Sequence, residues 1–175
     1  MKYTIVLLSL FMLYASCHFD FTHHQNGHEL FVSLRDETQK IWVVFVEKNP
    51  VGDEGKEVRD QNVAVKNQVK QRLYNEDVFY TELALDDEDM EERYKEFTEL
   101  VKLDNTLLDD GPVVCLVYDK KGYWIHGHGI PQETVDTIHA FLVQKEDNEN
   151  RNKPVSVGGP VKHPSSFEAF EGGSY

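Results

Sequence analysis

The residue types able to do chemistry in this 175-residue chain are two thiols, a histidine-rich stretch, a second histidine pair and a run of acids. Cys17 ends an N-terminal apolar run, and Cys115 lies inside an apolar segment with the look of a core strand, so Cys115 reads as a buried free thiol. His18, His23, His24 and His28 crowd together just after the apolar run. Histidine is a common metal ligand, but this spacing fits no zinc pattern and reads as a solvated linker. His126 and His128 stand two apart and share a face if their strand continues, a plain strand-end pair being the simpler reading. The acids of residues 82–99 lack the Asp-x-Asp-x-Asp-Gly order of a calcium loop. No Gly-rich phosphate loop, Gly-x-Ser-x-Gly elbow or His-Glu-x-x-His occurs. The expectation is therefore no catalytic residue, no cofactor and no metal.

The elements that must carry these residues show in the hydrophobic pattern. Ile41-Trp42-Val43-Val44-Phe45-Val46 is too short for a helix and predicts a strand buried on both faces. Asn49-Pro50-Val51-Gly52 breaks the chain, and Val58, Val65, Val69 and Leu73 then predict an amphipathic helix of about 15 residues. Residues 79–85 read as a second strand. Met90, Tyr94, Phe97 and Val101 give one continuous helical stripe, with Asp86-Asp87-Glu88-Asp89 suited to its start. Residues 113–118 form another apolar strand, and Asp119-Lys120-Lys121-Gly122 turns it back onto Tyr123-Trp124-Ile125-His126. Val135, Ile138 and Leu142 place a last helix on the core. A short helix or strand is expected near residues 29–35. A βαβ unit followed by a hairpin and a covering helix makes an α/β fold with a mixed sheet flanked by helices.

Charge and termini bound the partners. With 18 basic and 31 acidic residues the net charge is −13, which repels phosphate backbones and argues against nucleic acid. Met1-Lys2 followed by an apolar run to Cys17 matches a secretory signal peptide. An uncleaved anchor, holding the chain to a membrane through an N-terminal helix, is the alternative, with the acidic remainder on the far side. No Asn-x-Ser/Thr sequon occurs. Residues 148–175 turn polar and rich in Pro and Gly, which predicts an extended tail whose Phe167, Phe170 and Tyr175 are spaced to dock on a partner.

The element order over residues 29–147, with Pro112 directly before the hairpin, resembles the thioredoxin-like family. In that family the first central strand runs into a Cys-x-x-Cys pair. Here the corresponding stretch is Phe45-Val46-Glu47-Lys48-Asn49-Pro50-Val51-Gly52, which holds no cysteine. The resemblance puts the family's cis-proline at Pro112 and its closing glycine at Gly127 or Gly129. It also places His126 and His128 at the family's active-site end. Disulfide exchange needs an attacking thiolate and a resolving thiol, so redox catalysis is disfavoured.

The expected organisation is a signal or anchor (1–17), a His-rich linker (18–28), a thioredoxin-like domain (29–147) and a tail (148–175). The expected function is a redox-inactive structural or interaction module, an accessory subunit of a membrane-associated assembly such as one at the mitochondrial inner membrane, on its intermembrane-space side. The competing reading is a soluble protein of the secretory-pathway lumen or exterior that binds peptides or unfolded clients. Its partners are proteins, met through Pro112, His126, His128, Phe167, Phe170 and Tyr175.

Overall fold

The computed structural model describes residues 19–53, 55–127, 130–150 and 165–168. The apolar run 1–17, His18, His128, Gly129, Phe170 and Tyr175 lie outside them. Six strands form one mixed sheet in the order β1-β3-β2-β4-β5-β6. They are β1 (Asp20–Phe21), β2 (Ile41–Glu47), β3 (Val78–Ala84), β4 (Val113–Tyr118), β5 (Lys121–His126) and β6 (Ser165–Glu168). β3 runs parallel to both β1 and β2, whereas β4, β5 and β6 continue the sheet antiparallel. The helices are α1 (Gly27–Asp36), α2 (Lys56–Leu73), α3 (Glu88–Arg93), α4 (Lys95–Leu100) and α5 (Ile130–Asn150), with a 3-10 turn at Asn105–Asp109.

β2 is central because every one of its residues is buried, as a strand covered on both faces requires. The period of two then sorts its side chains. Trp42, Val44 and Val46 join Cys115, Leu30, Leu34, Tyr94 and Phe97 on the side covered by α1, α3 and α4. Ile41, Val43 and Phe45 join Val69, Leu73, Tyr80, Ile138 and Phe141 on the side covered by α2 and α5. The β4–β5 hairpin closes on Asp119 and Lys120, both at positive φ (47° and 64°), the twist-compatible two-residue turn.

The structure departs from the sequence reading at several points. Of the expected linker 18–28, the described residues 19–28 are not free: Asp20 and Phe21 pair with Phe79 and Tyr80, and α1 already begins at Gly27. Asn26 caps α1 by accepting from the Glu29 amide at 2.9 Å, while Glu29 accepts from the Gln25 amide. The stripe Met90–Val101 is two short helices rather than one, broken at Tyr94 (φ −105°, ψ 10°). Two tethers coincide with the break. The Tyr94 hydroxyl donates to the His24 carbonyl at 2.7 Å, and Gly27 packs so closely that a Cβ there would stand 3.1 Å from the Tyr94 and Phe97 backbones. The register of α5 is also different: Ile130, Thr134, Ile138 and Phe141 face inward, and Leu142 is exposed. The helix runs to Asn150, past the expected boundary at 147, and the expected tail contributes β6 to the sheet.

Candidate functional site

The chain leaves β2 at Glu47, beside the start of β4 and the end of β5, since Val113 pairs with both Val46 and His126. This end of the sheet therefore gathers the loop after β2, Gly111-Pro112 and His126. Pro112 is buried, and no peptide bond among the described residues is cis. The cis-proline implied by the resemblance is thus replaced by a trans bond, with Gly111 at φ +151° making the turn into β4. Gly111 lies against the His126 ring, where a Cβ would be 3.8 Å from Nε2. That Nε2 atom is buried without a hydrogen-bond partner among the described residues. His126 and Pro112 therefore share one end of the sheet, and Phe167 lies across the sheet in β6, paired with Gly122.

The loop after β2 is pinned by side chains that the sequence reading did not single out. Arg59 Nη1 donates to the Pro50 carbonyl and, at 2.9 Å, to the Gly52 carbonyl. Asn62, fully buried on α2, donates to the Lys48 carbonyl at 3.0 Å. The Asp86 carboxylate accepts from the Asn49 amide at 2.8 Å. Gly55, which precedes α2, sits under the same loop: a Cβ there would meet the Pro50 carbonyl oxygen at 2.5 Å. Backbone carbonyl cannot yield as a flexible side chain would. Gly55→Ala is accordingly expected to cost about 1–3 kcal/mol as overpacking, read as a lower urea midpoint with unchanged slope.

Below the loop, on the α2 face, the buried Glu47 meets a group of partly buried charges. Glu47 Oε1 is 2.5 Å from Lys66 Nζ, and Glu82 is 2.5 Å from Lys70 and 3.7 Å from Lys66. Tyr80, fully buried next to them, makes no hydrogen bond of ordinary geometry through its hydroxyl. Burial, with Glu82 and Glu47 adding to it, drives its ionisation far up. Lys48, at the loop itself, lies 3.5 Å from Glu91 and 3.4 Å from Asp109. Burial alone would lower its affinity for the proton, but those two carboxylates outweigh it and hold the ammonium above its ordinary range.

Among the described residues no thiol lies at this end of the sheet. Cys115, the free cysteine among the described residues, is wholly buried in β4 opposite Val44, on the α1 side. Burial pushes its thiol well up, away from the thiolate a nucleophile needs. His24 and His28 are separately engaged. His24 faces Thr81 Oγ1 at 3.4 Å and its carbonyl holds Tyr94, with burial lowering its pKa. His28 meets Glu96 at 3.1 Å on the surface. Among the described residues no three His, Cys, Asp or Glu side chains gather as a metal-holding set.

No family model, curated protein or solved structure matches this chain. Among the described residues no helix is long and apolar enough to cross a membrane.

Proposed function

We propose that the chain is a redox-inactive thioredoxin-like module whose work is to bind protein partners as an accessory subunit of a membrane-associated assembly. The observation that carries the reading is the loop after β2. Where the thioredoxin-like family presents a dithiol, Glu47-Lys48-Asn49-Pro50-Val51-Gly52 presents none, and Arg59, Asn62 and Asp86 fasten its backbone. The strand order β1-β3-β2-β4-β5 is compatible with that family's arrangement. A fastened loop with no nucleophile fits recognition better than turnover, since fold alone does not carry activity. Residues 1–17 supply the membrane side of the proposal, as a retained anchor or an export signal.

Purification of the full chain in mild detergent, followed by native mass measurement, tests this. The expected species is far larger than the 20.3 kDa of one chain and carries stoichiometric protein partners. A strictly monomeric chain in the soluble fraction would remove the subunit reading.

A further inference from the structure

The function proposed above leaves the histidines after the apolar run without a role, and two of them, His23 and His24, lie on one short segment. Residues 19–25 run along the β3 edge of the sheet as a strap that leads into α1. β1 fastens it by two residue pairs, the Thr22 amide donates to the Tyr80 carbonyl at 2.8 Å, and Lys40 meets Asp20 at 2.8 Å. His24 fastens it further. Its carbonyl accepts from the Tyr94 hydroxyl at 2.7 Å, its ring centre lies 5.7 Å from that of Trp42, and its Nδ1 stands 3.4 Å from Thr81 Oγ1. β2, β3 and the break between α3 and α4 thus meet at one residue of the strap.

The place suits a neutral ring. Thr81 is 1% exposed, and among the described residues its hydroxyl meets only His24 Nδ1. A neutral imidazole can accept the hydroxyl proton at Nδ1. A charged one carries a proton on both nitrogens and can only donate, which leaves the buried hydroxyl without an acceptor. Trp42, itself buried, covers the ring on the β2 side, so a charge there loses hydration. Trp42 and Thr81 bring no charge, and Tyr94 is kept protonated by burial. Glu29 from α1 favours a proton on His24, whereas the neighbouring His23 opposes it. Burial outweighs Glu29 and holds the imidazole below its ordinary value of 6.5.

We propose that residues 19–25 form an acid-released strap with His24 as its sensor. Neutral, His24 fastens the segment to β2, β3 and Tyr94; charged, it lets the segment lift from the β3 edge. The sign follows because the ring is neutral in place and takes up a proton more readily once released. Attachment is complete above 6.5, weakens as pH falls through that value, and levels off once the ring is charged in place as well. Release frees the Tyr80 carbonyl and the Tyr94 hydroxyl together. The device is separate from the partner-binding reading and stands or falls without it.

Amide hydrogen exchange of the full-length chain at about pH 7.5 and about pH 5, with each rate referred to the unstructured chain at the same pH, tests it. Protection of the Thr22 amide should fall at least about threefold at the lower pH, while β2 and β4 amides keep theirs. In His24→Phe, which keeps an aromatic ring against Trp42 and cannot charge, that protection should be equal at the two pH values. Titration of the imidazole resonances in the wild type needs no variant: His24 should titrate at a lower pH than it does in a free peptide of residues 20–27. Unchanged Thr22 protection in the wild type would overturn the strap. A fall that persists in His24→Phe, or a His24 that titrates at or above the peptide, would overturn His24 as the sensor.

Discussion

Lys66→Met is expected to destabilise the chain by about 3 kcal/mol, more than any surface charge change would. Lys66 Nζ lies 2.5 Å from Glu47 Oε1, and the two side chains are only 18% and 6% exposed. Removing the lysine leaves a carboxylate at the end of the central strand with its second oxygen, Oε2, already lacking a hydrogen bond. Lys70 cannot substitute, because it is taken by Glu82. The companion Glu47→Leu/Lys66→Met removes both charges and should recover most of the loss, since a hydrophobic pair of similar volume avoids the desolvation cost. Urea unfolding of the two variants and the wild type checks it. If Lys66→Met unfolds at the wild-type midpoint, the pair is solvated and the buried-network description fails.

Phe97→Ala is the second large effect, at about 3–5 kcal/mol. Phe97 is wholly buried beneath the α1 side of the sheet, in the same cluster as Leu30, Leu34, Trp42 and Val44. The close approach of Gly27 to the Phe97 amide leaves little freedom for α1 to collapse into the hole. Leu142→Ala, on the exposed face of α5, should by comparison change stability by less than about 1 kcal/mol. A thermal or urea melt of the pair reads the difference directly. Equal effects would mean that α5 is seated in the register the sequence pattern suggested.

That register shows where sequence patterns reach and where they stop. The seven buried residues of β2 and the apolar run of β4 admit one reading, because continuous apolar runs of that length bounded by turn residues have few alternatives. The α2 stripe is equally plain in its apolar members, but polar residues share its face. Asn62 and Lys66 fall on the same face as Val58, Val69 and Leu73, and a polar residue on a core stripe is the available signal for a buried partner. Glu47, ending an apolar run, was the matching signal on the sheet. β1 was not legible, since two residues cannot display a period and Asp20–Phe21 is a strand only because β3 offers an edge. The same holds for β6, whose partner β5 lies about forty residues earlier in the chain. On α5 the apolar Val135 and Leu142 suggest one stripe, but the stripe that packs has Thr134 and Phe141 in their place. At the site, the resemblance puts Pro112 and His126 at one end of the sheet, whereas Arg59 and Asp86 act on backbone atoms of the loop after β2, a role no spacing announces.

The proposal that the chain is a redox-inactive module is tested most directly by insulin reduction with the full-length chain and dithiothreitol as reductant. Cys115 is sealed in β4 with its thiol held protonated by burial, and the loop after β2 carries no cysteine. The predicted rate is that of dithiothreitol alone, for the wild type and for Cys115→Ala alike. A rate clearly above it that disappears in Cys115→Ala would contradict the account.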